Sequence, residues 1–244
     1  MDRTWTLHWL QAAGSLAPWR ARIRAEIDAA FTACARVVVP PRVDIVIHQI
    51  PHWPVPELGF GGTAPSRSTM FLGFDTSHAA MEAQLVGGLR RVVLHEAHHC
   101  LRQAGPGYGT TLAEAMVSEG LADHFVLEIL GGAPDRWDVA LDNAALRAAA
   151  ARVTPVLWDA GIELNRWFRG DEREILPWSG YSLGFRLIER YLAQHPEQRA
   201  SRLVTIPAAA VVDAAWPTLA GSDGRGAVWP SPAGSAGAPA PPPG

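Results

Sequence analysis

The chain has 244 residues, 48% of them hydrophobic and 18% charged, with a formal net charge of −3. Such a chain can bury a sizeable core, and its charge does not suggest binding to nucleic acid or an acidic membrane surface. Two cysteines, Cys34 and Cys100, are too few for a disulfide framework.

The N-terminal stretch "MDRTWTLHWLQAAGSLAPWR" lacks a sustained apolar region, being interrupted by His8, Gln11 and Pro18, and is a poor signal peptide. No uncharged apolar run is long enough to span a bilayer. A cytoplasmic, reduced protein is the expectation. Residues 17–36 read as an amphipathic helix with Trp19, Ile23, Ile27 and Phe31 at helical spacing. Pro40-Pro41 breaks it, and "RVDIVIHQI", 42–50, alternates as a strand does. Residues 51–68, rich in Pro and Gly, read as a long loop. "TMFLGFD", 69–75, reads as a second strand. A helix capped by Thr76 or Ser77 follows and runs to about Gln103. After the break "AGPGYG" a further helix spans about 111–130 and stops at Gly131-Gly132. Helical patterns follow at 135–152, 155–168 and 179–195. The fold class is α+β: a small N-terminal β region, then a mainly helical body. Residues 1–219 are expected to form one domain. Residues 220–244, all but exclusively Pro, Gly, Ala and Ser with few apolar anchors, are expected to form a disordered tail.

The chemistry concentrates in "RRVVLHEAHHCLRQ", residues 90–103. On a helix, His95 and His99 lie one turn apart on one face, as a single cation requires. Glu96 is about 100° around the helix. There it can reach a water beside the ion without being a ligand. His98 cannot share the sector of both other histidines. Two histidines and a glutamate so spaced form the H-E-x-x-H arrangement of zinc peptidases. The apolar run Val92-Val93-Leu94 implies a buried helix, where polar side chains need partners.

A third ligand must come from elsewhere, because the residues after His99 lack a further spaced histidine. The next helix offers Glu114, Glu119, Asp123, His124 and Glu128. Thr111 and Glu114 fit a capping box, which gives Glu114 a different task. Glu119 sits on the apolar stripe of Leu112, Ala115, Met116, Ala122 and Val126, where an ionised carboxylate is very costly unless paired or metal-bound. Asp123, one turn later, can hydrogen-bond the outer nitrogen of a ligand histidine. A solvated or Arg-paired acid is the other reading of Asp123. Zinc held by two histidines and one glutamate keeps an open position for water, and Glu96 would take that water's proton.

His95-Glu96-x-x-His99 followed by Glu119 and Glu119-x-x-x-Asp123 resembles the gluzincin pattern of thermolysin-like peptidases. The wording "HEAHHCLR…LAEAMVSEGLADHF" is closer still to the predicted zinc-dependent proteases of bacteria, long carried as a domain of unknown function. The resemblance is strong over residues 90–128 and extends from about 40 to 195. It implies a zincin-like fold, a zinc cofactor and a peptide or protein substrate. It also implies that the strand before the zinc helix, "TMFLGFD", is a sheet edge that pairs with extended substrate, that "GFGGT", 59–63, is flexible and shapes the cleft, and that a later helix supplies an oxyanion donor; a plain sheet edge and a surface loop are the other reading of the first two. Tyr181 in "SGYSLG" is the first candidate for that donor, and it reads equally as a core tyrosine spaced with Phe185 and Ile188. His124 is a weaker one, and Arg102 and Arg186 read as salt-bridge partners. Cys100 reads as a buried, inert thiol. Two alternatives keep the same residues: a metal-binding structural or regulatory protein without turnover, and a hydrolase of non-peptide amides. Glu96 favours an enzyme over the structural reading, since a structural zinc has no need of a base, and leaves peptide and non-peptide substrates both open.

Overall fold

The computed structural model describes residues 4–51, 57–171 and 173–221. Four strands form one sheet: β1 (Trp5–Trp9), β2 (Val43–Gln49), β3 (Phe60–Ser66) and β4 (Thr69–Phe74), in the order β1-β2-β4-β3. β1, β2 and β4 run parallel, and β3 returns antiparallel beside β4. The parallel β1–β2 pair needs a crossover, which α1 (Arg20–Cys34) supplies. Helix α2 (Met81–Arg102) packs on β3, β4 and α1. The helical body follows as α3 (Leu112–Leu130), α4 (Asn143–Val153), α5 (Leu164–Arg169), α6 (Ser179–Gln194) and α7 (Ala208–Leu219). This is the α+β architecture expected of the sequence.

β3 departs from the expected loop. "FGGTAPS" has low strand propensity, but β4 supplies a ladder partner, and Pro65 falls where the register shifts between Thr63 and Ser66. A proline without an N–H is tolerated at such an irregularity on an edge strand. The consequence is that "TMFLGFD" is not a sheet edge: β4 is paired on both sides, and the edge beside α2 is β3. "GFGGT" is therefore mostly strand rather than a flexible loop. β1 also lies in a stretch that was not read as a strand. Helix α2 begins later than expected, at Met81, and is kinked at Val86-Gly87, where Gly87 takes φ +84° and its N–H bonds Glu26 Oε2 at 3.0 Å.

Further on, the expected helix at 135–152 starts only at Asn143, capped by the Asp142 side chain. Residues 135–142 form instead a loop that turns Trp137 and Asp138 inward, Asp138 to 1% exposure. The expected helix at 155–168 resolves into a short 3-10 turn (Thr154–Val156) and α5. Of the expected tail, residues 222–244 lie outside the described residues.

Helices α3 and α6, which carry Glu119, Asp123 and Tyr181, approach closely. A Cβ on Gly120 of α3 would lie 2.3 Å from the Gly184 carbonyl oxygen of α6, and one on Gly184 would lie 2.4 Å from Met116 O. Backbone meets backbone, so neither neighbour can yield as a flexible side chain does. Gly120→Ala is expected to lower the unfolding free energy by about 1–3 kcal/mol or more through overpacking. Urea denaturation followed by circular dichroism measures this; an unchanged midpoint would contradict the close crossing.

Candidate metal centre

Helices α2 and α3 lie against each other, and three side chains converge between them. His95 Nε2 and His99 Nε2 are 2.9 Å apart, and Glu119 Oε2 lies 3.0 Å from the first and 3.5 Å from the second. One ligand atom from each residue lies within 4.8 Å of the others, so the group could hold a metal ion. His99 and Glu119 are buried, at 6% and 5% exposure. The Asp123 Oδ1 atom is 2.8 Å from His95 Nδ1. An ionised carboxylate accepts only, so Nδ1–H is the donor and the neutral ring presents a lone pair at Nε2. Ser118 Oγ lies 3.4 Å from the outer nitrogen of His99.

This arrangement requires positive charge. Lone pairs on two imidazoles and a carboxylate face one another in a buried space. Burial disfavours the charged form of His95, yet the Asp123 carboxylate and then Glu119 raise its pKa well above the usual histidine range. Burial pushes Glu119 upward, but His99 and the hydrogen bond from His95 hold it well below the ordinary carboxylate range. Without a metal, a proton meets the same demand. A divalent cation would satisfy all three atoms at once, and two imidazoles with one carboxylate are a donor set that zinc accepts.

Glu96 sits beside this trio at 6% exposure, and its Oε2 is buried with no hydrogen-bond partner. Burial raises its pKa, against the lowering effect of His99 and His95. A Cβ on Gly62 would come within 2.5 Å of Glu96 Cγ, so the glycine of β3 makes room for this side chain.

A family model matches residues 23–213 and is described as a predicted Zn-dependent protease family, DUF2268. The chain belongs to this family. No curated protein matches the chain, and no solved structure does.

In this DUF2268 protein the remaining candidates have separate tasks. Glu114 closes the capping box of α3: its Oε2 accepts from Thr111 N at 3.0 Å and Thr110 N at 2.9 Å, and Thr111 Oγ1 accepts from Glu114 N. His98 points into the core, fully buried against Phe125, and burial pushes its pKa well below the usual value, so it stays neutral. His124 Nε2 is 3.0 Å from the Phe185 carbonyl, to which it donates, away from the trio. Glu128 accepts from Ser201. Arg186 pairs with Glu189 at 2.7 Å. Among the described residues Arg102 has no salt bridge of the expected kind; it donates to the carbonyls of Ile206 and Val204. Cys100 is buried, and burial pushes its thiol up to about 12.

Tyr181 of α6 faces the same space, its charge-sensitive neighbours being Glu119, Asp123 and Glu96. It also packs on Phe168 and Trp178, so its core character and its place at the site coexist. Tyr108 is a residue that the sequence reading passed over. It stands between Gly107 and Gly109, both at positive φ, packs edge-on against His99, and hydrogen-bonds Glu119. An aromatic residue between two glycines directly after the histidine helix was the available signal.

Two clefts meet at Gly62, His95, Glu96 and Tyr181. One is walled by Leu58, Val92, Val126, Trp137 and Trp178, with the Arg91–Asp135 ion pair among its lining residues. The other runs past Thr63, Gln103, Tyr108 and Glu119. Trp178, at the start of α6, is the one non-glycine residue at positive φ among the described residues, at 66°. Such a conformation persists only where packing holds it.

The capping box gives Glu114 a task that can be tested apart from the candidate metal site. Glu114→Ala should cost about 1 kcal/mol of stability at neutral pH, the usual worth of a helix cap. Backbone N–H groups of Thr110 and Thr111 lower the Glu114 pKa, so this contribution is present above the unfolded glutamate value and is lost as pH falls through the folded one. Denaturant midpoints of wild type and variant should therefore converge in acid.

Proposed function

We propose that this protein is a zinc-dependent peptidase of gluzincin type, with His95, His99 and Glu119 as the metal ligands and Glu96 as the general base. One observation carries the reading: three possible ligand atoms converge beside a buried carboxylate that has an unpartnered oxygen. The family description supports it. A purely structural ion would leave Glu96 buried without a task.

Bound by those three residues, zinc would supply Lewis acidity, lowering the pKa of a water and polarising a carbonyl. The chain's own groups do the rest. Asp123 holds the His95 ring by its Nδ1–H, which fixes the orientation and raises the basicity of the other nitrogen. Glu96 accepts the proton of the attacking water and delivers it to the leaving amine. Tyr181 is kept un-ionised by burial and by Glu119, so its hydroxyl remains a donor for the oxyanion. Tyr108 donates to Glu119 and fixes that carboxylate. The apolar cleft with Trp137 and Trp178 suits an apolar side chain of a peptide.

Purified wild type from zinc-replete medium should contain one equivalent of zinc, while His95→Ala and Glu119→Ala should contain almost none. Glu96→Gln should retain the metal and lose peptide hydrolysis by about 10²–10⁴-fold, the usual worth of a positioned base. Metal-free wild type, or chelator-insensitive cleavage of a peptide library, would refute the assignment. Loss of zinc from Glu96→Gln would move Glu96 into the ligand set. Tyr181→Phe should lower kcat by about 10²–10³-fold with KM little changed, as for loss of one oxyanion donor.

A further inference from the structure

Behind Asp123 stands a second carboxyl group that the mechanism above does not use. Asp138 lies in the loop between α3 and α4 and is 1% exposed. Its Oδ2 accepts the Asp135 N–H at 2.8 Å, while its own N–H bonds Asp135 O at 3.1 Å, which closes the turn. The side chain then meets the Asp123 carboxyl in hydrogen-bonding contact. Among the described residues no hydrogen bond or ion pair joins Asp138 to His95, His99 or Glu119. Two buried oxygens are left over where the two acids lie, Asp138 Oδ1 and Asp123 Oδ2, and neither has a donor. Of the nearby positive groups, Arg91 grips both oxygens of Asp135 at 2.8–3.1 Å, and His95 meets Asp123 through Oδ1, so neither reaches the two leftover oxygens.

Two ionised carboxylates cannot share such a place without a counter-charge. A single proton resolves the conflict, since an un-ionised carboxyl gains an O–H donor and the other oxygen finds a partner. The two acids are not equivalent. Asp123 Oδ1 already accepts the His95 Nδ1–H at 2.8 Å, which leaves only its Oδ2 in need of a donor. Asp138 accepts one backbone N–H and is closed off from solvent; burial and then Asp123 push its pKa well above the usual range.

We propose that Asp138 is a positioning residue that keeps its proton at neutral pH and donates it to Asp123 Oδ2, clamping the Asp123 carboxylate against His95. Asp123 then has a donor at each oxygen and cannot turn about its own axis. The array Asp138–Asp123–His95 reaches from the loop to the metal-facing nitrogen of His95. The effect on zinc rests on the peptidase reading; the proton does not.

The proton is tested in the metal-free chain by infrared difference spectroscopy at neutral pH. A carbonyl band of an un-ionised carboxyl should be present in wild type and missing from both Asp138→Asn and Asp138→Ala. Identical spectra would overturn the proposal. Zinc affinity, measured by chelator competition, tests the positioning. Asp138→Ala should weaken binding about tenfold, the low end for a residue supporting a ligand. Asp138→Asn can still accept from Asp135 N–H and donate to Asp123, and should stay within about threefold of wild type. In an Asp123→Ala background the tenfold loss should shrink below about twofold while any loss of thermal stability persists, which separates coupling to Asp123 from a loop defect. An Asn variant as weak as the Ala variant, or an undiminished loss without Asp123, would overturn the clamp. A wild-type chain that shows the band but takes up no zinc would refute the peptidase reading and establish the shared proton alone.

Discussion

Two carboxylates on one buried face of α3, Glu119 and Asp123, set the constraint on which this structure turns. They are 5% and 3% exposed, in a helix otherwise lined by Leu112, Ala115, Met116, Ala122 and Val126. Charge in such a setting is strongly unfavourable unless partners surround it. The partners are the imidazoles of α2, with Tyr108 on Glu119 and the Asp138 carboxyl on Asp123. The chain thus concentrates negative charge in its interior and opposes it with groups that require a cation or a proton to complete them.

Holding that charge in register depends on close approach, and small residues provide it. Gly120 follows Glu119 directly and lets α6 ride on the α3 backbone, which brings Tyr181 over the site. Gly62 leaves β3 bare where Glu96 needs volume. The edge strand, the histidine helix and the tyrosine helix therefore meet at one point, and each contact is limited by a missing Cβ. The kink at Val86-Gly87, anchored by Glu26, lies within the same histidine helix, before the paired Arg90.

What could be read from the sequence was what local rules govern. His95, Glu96 and His99 share a helix whose period fixes their directions. Glu114 announced itself as a cap because the capping box spans only four residues. Glu119 stood out because a charge on an apolar stripe is an inconsistency that something must resolve. The rest was set by distant contacts. β3 was hidden because Gly-Gly and Pro oppose strand propensity, and only pairing with β4 overrides this. Arg102 is held by carbonyls about a hundred positions away, which no local pattern reveals. Trp137 and Asp138 were absorbed into an expected helix, because "DRWDVALDN" carries a helical composition while the Asp142 cap starts the helix only at 143. Tyr108 is brought to His99 by two glycines at positive φ rather than by periodicity.

The most direct test of the account concerns which atoms surround the ion. X-ray absorption at the zinc edge of the loaded, substrate-free protein reads the ligand types without reference to activity. Two imidazole shells with oxygen completing the coordination, and no sulfur, are expected of His95, His99 and Glu119. The imidazole signal should fall by one ring in a His99→Ala sample reconstituted at high zinc. A sulfur shell, or an all-oxygen shell without imidazole, would contradict the account.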